Sequence, residues 1–170
     1  NAIKFQSFDA SNRISKKVKS IKYAEKADGL QENIHEMFSR LTLDKQKLKK
    51  IFNYAKRKKI EIFSTPFDEK NVDLLEDLGV KFYKMASVDL VNLPLIEKIG
   101  KTQKPLILST GMSKLGTIED AVEVFKKTGN KNLILLHCLS SYPANEKEMN
   151  LNAINTLKNN FNIPVGLSDH

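Results

Sequence analysis

The sequence predicts an α/β protein with parallel strands, arranged as an incomplete (β/α)8 barrel. Three observations predict it: six short apolar segments recur along the 170 residues, helix-period patterns separate them, and each segment ends in polar residues. The segments span residues 2–6, 61–64, 82–87, 105–109, 133–138 and 164–168. Apolar towards both faces, they read as strands buried between helices, the usual condition of a parallel sheet.

The connecting elements follow in order. The stretch 7–43 is polar, contains Asp28-Gly29, and is expected to form a long loop with a short helix near 34–38. Loops of that length inside a compact domain usually carry function. Leu48, Ile51, Phe52 and Ala55 then repeat at i, i+3, i+4 and i+7, with Asp44 ahead as N-cap. Val72, Leu75 and Leu78 mark the next helix, which Gly79 ends with a left-handed cap. A shorter helix covers about 94–99 and stops at Gly100. Thr117-Ile118-Glu119-Asp120 resembles a capping box with Asp in place of Glu, opening a helix through Val122 and Phe125 to Gly129. Leu151, Ile154 and Leu157 give the last helix.

Strand and helix alternating in this way mean right-handed βαβ units. A doubly wound open sheet competes with the barrel. It would usually carry a glycine-rich phosphate turn after its first strand, and neither G-x-G-x-x-G nor G-x-x-x-x-G-K-[ST] occurs. A complete barrel takes about 250 residues, so six units in 170 residues would leave it open at both ends.

Composition narrows the function. Hydrophobic residues make up 41% and charged residues 28%, with 7 Gly, 5 Pro and no Trp, which excludes disordered and collagen-like chains. A single cysteine, Cys138, excludes an intramolecular disulfide and points to a reducing compartment, the cytoplasm. No apolar run approaches the ~20 residues of a membrane helix. No signal-peptide pattern opens the chain, and residues 1–6 read as a strand already under way, so the natural start is expected upstream. The net charge is +8. Much of the excess lies in Lys16, Lys17, Lys19 and Lys22, and in Lys45, Lys47, Lys49, Lys50, Lys56, Arg57, Lys58 and Lys59. The second group falls on the polar side of a helix, where solvated lysines are ordinary. Stacking aromatics and nucleic-acid motifs are lacking, so the charge reads as a solvated face or as attraction for an anionic small substrate, not as nucleic-acid binding.

The strand ends favour the barrel. In order they carry Lys4 and Gln6, Ser64 and Thr65, Lys84 and Ser87, Ser109 and Thr110, Ser140 and Tyr142, then Ser168, Asp169 and His170. In a barrel these ends converge on one mouth, where hydroxyls and two lysines could enclose an anion bearing phosphate and carboxylate. Helix capping accounts for one or two of the hydroxyls. It does not account for Lys4 and Lys84, since an unpaired ammonium inside an apolar strand would cost several kcal/mol.

The motifs Ile3-Lys4-Phe5-Gln6, Phe63-Ser64-Thr65-Pro66-Phe67-Asp68, Tyr83-Lys84-Met85-Ala86-Ser87, Leu108-Ser109-Thr110-Gly111-Met112, His137-Cys138-Leu139-Ser140-Ser141-Tyr142-Pro143 and Gly166-Leu167-Ser168-Asp169-His170 lie in this order across nearly the whole chain. Together they resemble the N-acetylneuraminate (sialic acid) synthase family, which includes the legionaminic and pseudaminic acid synthases. The resemblance implies a (β/α)8 barrel that condenses phosphoenolpyruvate with an open-chain N-acetylated amino sugar, typically N-acetylmannosamine, and releases phosphate. It implies that Lys4, Thr65, Lys84, Ser87, Ser109, Ser140 and Ser168 hold phosphoenolpyruvate, and that Tyr142, Gln6 and Asp89 line the sugar site. His170 matches a metal-binding histidine for Mn2+ or Mg2+, which would polarise the sugar aldehyde. Residues 1–170 would then be one partial barrel domain covering about strands two to seven. Strand one with its glutamate, strand eight with a second histidine, and a C-terminal antifreeze-like domain that completes a homodimer are expected outside it. A catalytic residue is expected in none of the 170 positions, and these residues alone are expected to be inactive. Ser140 stands where some members carry Asn, and Met85-Ala86 replaces a more glycine-rich version of its motif.

Other residues have plainer readings. His137, inside an apolar run, is expected in the core or behind the site, Cys138 as a small buried hydrophobe, and His35 on the surface. Two alternatives stand beside the leading function. Another phosphoenolpyruvate-dependent sugar-acid synthase would usually need an arginine cluster, and Arg13, Arg40 and Arg57 are expected away from strand ends. A basic, non-catalytic binding module would leave the ordered motifs unexplained.

Overall fold

The computed structural model describes residues 1–18 and 33–170; Lys19, Lys22 and Asp28-Gly29 lie outside the described residues. Strand β1, Ala2–Ser7, opens the fold and is followed by helices α1, Ala10–Arg13, α2, Ile34–Leu41, and α3, Lys45–Arg57. Strand and helix then alternate: β2, Glu61–Pro66; α4, Glu69–Leu78; β3, Tyr83–Met85; α5, Leu93–Lys101; β4, Leu106–Ser109; α6, Leu115–Lys127; β5, Leu133–His137; α7, Asn152–Phe161; and β6, Val165–Leu167.

The expected caps form at two helices. Asp44 accepts from the Lys47 N–H at 2.8 Å, and Gly79, at φ 73°, closes α4. Two expected boundaries move. Helix α6 begins at Leu115 after Lys114, so Thr117 and Asp120 lie inside it and form no capping box. The turn Gly111-Met112, with Met112 at φ 61°, has already set the chain's direction before the box is reached. Gly100 does not stop α5, which runs on to Lys101. A Cβ on Gly100 would lie 2.6 Å from Thr128 Oγ1, so the glycine lets α5 and α6 approach.

The stretch expected as a loop contains α1 and a longer α2. Phe8 packs edge-on against Phe38 at 5.2 Å and Phe67 at 6.0 Å, which ties both helices to the end of β2. His35 is therefore half-buried on α2 rather than at the surface, with a buried Nε2.

All pairings are parallel. Strand β1 pairs with β2, while β3, β4, β5 and β6 pair in sequence order. Strand β2 lies against β3 without a hydrogen-bonded ladder, the rings of Phe63 and Phe82 meeting at 4.5 Å. The order shows none of the reversal that defines a doubly wound sheet. The described strands form two parallel sheets and do not close into a barrel.

Alternation gives the sheet two faces. Ile62, Tyr83, Met85, Leu106, Leu108, Leu133 and Leu135 are buried on one, with Leu48, Phe52, Leu75, Ile99, Val122 and Phe125 of the helices in the same core. By register, Lys4, Gln6, Phe63 and Thr65 share the other face of the β1–β2 sheet, and Lys84, Ile107, Ser109, Ile134 and Leu136 share that of the larger one. Both lysines thus leave the helix-packed core. No described helix is long and apolar enough to cross a membrane.

Candidate active site

Lys84 is where the site is tightest. Its neighbours Tyr83 and Met85 are fully buried towards the helices, which turns the lysine to the opposite face. There its Nζ donates to the Met85 carbonyl at 2.8 Å and to Ser109 Oγ, itself only 3% exposed. Desolvation, aided by repulsion from the Lys4 charge, pushes the Lys84 pKa down to about 8. Lys4 is more open, yet desolvation holds its ammonium below the ordinary lysine value. The Lys4 charge on β1 thus acts on Lys84 on β3. An anion between them would offset that repulsion.

Several hydroxyls lie at the ends of the same strands. Thr65 is buried beside Gln6 in the β1–β2 register, and Gln6 is exposed on the same face as Lys4. Ser87, in the one-turn helix Ser87–Asp89 after β3, accepts from the Gly111 N–H at 3.0 Å and lies 3.1 Å from Cys138 Sγ. Thr110 donates to the Leu136 carbonyl at 3.0 Å. Gly111 has no room for a side chain: a Cβ would sit 2.7 Å from Ser140 Oγ, 2.8 Å from Cys138 Sγ and 2.9 Å from the Cys138 carbonyl. The turns after β3, β4 and β5 are thereby knitted together, and Ser87, Ser109 and Ser140 come with them. Sequence reasoning did not assign Gly111 or Cys138 to this cluster. Their importance lies in contacts across strands.

A second cluster forms after β5 and β6. Tyr142 Oη lies 3.3 Å from His170 Nε2, Ser168 Oγ lies 3.4 Å from the same nitrogen, and the Tyr142 and His170 rings stack at 4.3 Å. The Ala144 N–H donates to the His170 carbonyl at 2.9 Å and joins the two segments. Tyr142 and His170 are both exposed. A metal would find one imidazole here, and no group of three His, Cys, Asp or Glu side chains comes together among the described residues. With a single imidazole, these residues do not make a metal site by themselves. His137 points elsewhere: its Nε2 lies 2.6 Å from the Met149 carbonyl, on the helix side of β5, where a core histidine was expected. Cys138 is buried as expected.

Asp89 is half-buried in the turn after β3. Burial raises its carboxyl above the ordinary value, and the Arg13 guanidinium, 3.9 Å away, opposes that rise. Arg13 was expected away from strand ends. The structure places it at the end of α1, beside residues that follow β2 and β3, because α1 folds back over Phe67.

A family model described as the NeuB family matches residues 1–170. The chain belongs to the NeuB family. It is 46% identical over 170 residues to the N,N'-diacetyllegionaminic acid synthase of Campylobacter jejuni, covering 99% of this chain and 51% of that protein. It is 37% identical over 174 residues to the Legionella pneumophila enzyme of the same name, covering 100% and 49%. The crystal structure of N-acetylneuraminic acid (sialic acid) synthetase from Leptospira borgpetersenii, in complex with citrate, matches with a TM-score of 0.86 and 36% identity over 100% of this chain and 54% of that one. The chain spans about half the length of the curated relatives it matches. This membership bears out the likeness to sialic acid synthases read from the ordered motifs.

Proposed function

We propose that the protein containing this chain condenses phosphoenolpyruvate with an open-chain N-acetylated amino sugar, giving a nonulosonic acid and inorganic phosphate. The observation that carries the reading is the pair Lys4 and Lys84 on the face opposite the helices, where the Lys4 charge lowers the Lys84 pKa, Ser109 bonds to Lys84, and Thr65 shares the face of Lys4. Phosphoenolpyruvate brings a phosphate and a carboxylate to two cations. Carbon 3 of the enol attacks the sugar aldehyde carbon, whose oxygen takes up a proton. Water adds to carbon 2, and the phosphate leaves with the bridging oxygen. Lys4 and Lys84 hold the anion against solvent, while Ser168 completes the hydroxyl ring.

Gln6, Tyr142 and Asp89 take the sugar in this reading. His170 is one donor for a divalent cation, Mn2+ or Mg2+, whose other ligands would come from outside these residues, as would the glutamate acid–base. The 170 residues then form about strands two to seven of a (β/α)8 barrel within a cytoplasmic homodimer. The test is phosphate release by the intact protein from phosphoenolpyruvate, with N-acetylmannosamine or a di-N-acetylated hexose as acceptor. Release that requires both substrates and matches sugar consumption supports the reading; release indifferent to every acceptor, or none, overturns it.

A further inference from the structure

Arg13 lies over the Phe67 ring, its guanidinium carbon 3.5 Å from the ring centroid, and presents Nη1 3.9 Å from Asp89 Oδ1. Three segments meet here: α1 after β1, Phe67 after β2, and the Ser87–Asp89 turn after β3. The two side chains are mostly buried, at 22% and 12% exposure, so the pair is shielded from the solvent screening that weakens surface ion pairs. Asp89 Oδ1 faces the guanidinium, while Oδ2 is buried with no hydrogen-bond partner among the described residues. A buried carboxylate oxygen without a donor is costly, and folds keep such atoms where a ligand's donor will meet them. The same turn carries Ser87, whose Oγ accepts from the Gly111 N–H. Ser87 is thus anchored through Gly111 and not through Arg13.

We propose that Arg13 is the positioning residue for Asp89: seated on Phe67, it holds the carboxylate in place at the turn after β3, where the buried, donorless Oδ2 is the oxygen that a hydroxyl or amide N–H of the amino sugar would satisfy. The sugar's role rests on the proposed function; the pairing does not. Desolvation raises the Asp89 carboxyl, and Arg13 is the charged group that counters it, the backbone neighbours Ala86 and Asn92 being neutral. Arg13 does not touch the reacting atoms. Its effect passes through Asp89.

The test compares Arg13→Met and Arg13→Lys in the intact protein, with Asp carboxyls labelled with carbon-13 and Asp89 assigned through Asp89→Asn. In Arg13→Met the Asp89 carboxyl titrates at higher pH than in the parent protein, and in Arg13→Lys it returns towards the parent position. In turnover, Arg13→Met raises KM for the amino sugar about tenfold, the loss of roughly one charge-assisted hydrogen bond between the displaced Asp89 and the sugar, and leaves KM for phosphoenolpyruvate within about twofold. Arg13→Lys recovers most of that loss. An unchanged Asp89 titration in Arg13→Met, a parallel rise in both KM values, or no recovery with lysine overturns the proposal. The titration needs no substrate, so a protein that condensed nothing would overturn the proposed function and still leave the Arg13–Asp89 pair to be judged on its own readout.

Discussion

The cluster around Lys84 and the cluster around His170 both sit at the C-terminal ends of strands, and they are held in different ways. Around Lys84, interior contacts hold the groups: Nζ by Met85 and Ser109, Ser87 by Gly111, and Gly111 by the bulk of Cys138 and Ser140. Around His170, the contacts are an exposed ring stack and two long hydrogen bonds of 3.3 and 3.4 Å. The difference teaches where preorganisation resides. Strands pinned by a helix-packed core hold their polar groups in place before any ligand arrives, whereas segments beyond the strand ends supply groups whose final arrangement depends on what covers them.

The sharpest way to break this contrast is His170→Ala in the intact protein. If the clusters are separate in function, condensation is lost while phosphoenolpyruvate affinity stays within about twofold, since of the anion's proposed ligands only Ser168 adjoins the imidazole. Exhaustive chelation serves as a companion measurement, with the loss from chelation equal to that from His170→Ala when the imidazole is a metal donor. Full activity after both treatments would make His170 structural. Next in size is Lys84→Ala, which removes a charge-assisted contact worth about 1.5 to 3 kcal/mol and should weaken phosphoenolpyruvate binding about 10- to 100-fold by calorimetry. Unchanged affinity would remove Lys84 from the site. Smallest in activity but plain in stability is Gly111→Ala. Its Cβ, 2.7 Å from Ser140 Oγ and 2.9 Å from a backbone oxygen, should cost about 1 to 3 kcal/mol and lower Tm. A Tm equal to that of the parent would show that the turns after β4 and β5 are looser than described.

The same contrast governs what could be read from sequence. Lys4 and Lys84 were legible because a charge within an apolar strand violates a local pattern, and the strands themselves were legible from their apolar runs. The helices of α3 and α4 followed from period and cap, with Asp44 and Gly79 where expected. Thr117 misled because a local hydrogen-bonding motif lost to the geometry of the preceding turn. The Arg13–Phe67–Asp89 contact and the crowding at Gly111 were not legible, since their partners are distant in sequence and only the fold brings them together. His35 and α2 escaped a purely local reading for the same reason: the aromatic packing of Phe8, Phe38 and Phe67 orders a segment whose composition is polar.

The central claim is that Lys84 is a half-buried, repelled cation awaiting an anion. Its pKa, lowered from 10.5 to about 8, means that the folded protein gives up this proton before the unfolded chain does. The cost of burying the charge is thus present below about pH 8 and fades as pH rises towards 10.5. Anion affinity moves the other way, falling as Lys84 deprotonates. The direct measurement is calorimetric titration of phosphoenolpyruvate into the intact protein and its Lys84→Ala variant from pH 7 to pH 9, a range in which the phosphate's second ionisation, near pH 6, is already complete. The account predicts that affinity declines through about pH 8 in the parent protein and is weak and nearly flat in the variant. Parent affinity that does not change across this range, or a variant that follows the parent, would contradict it.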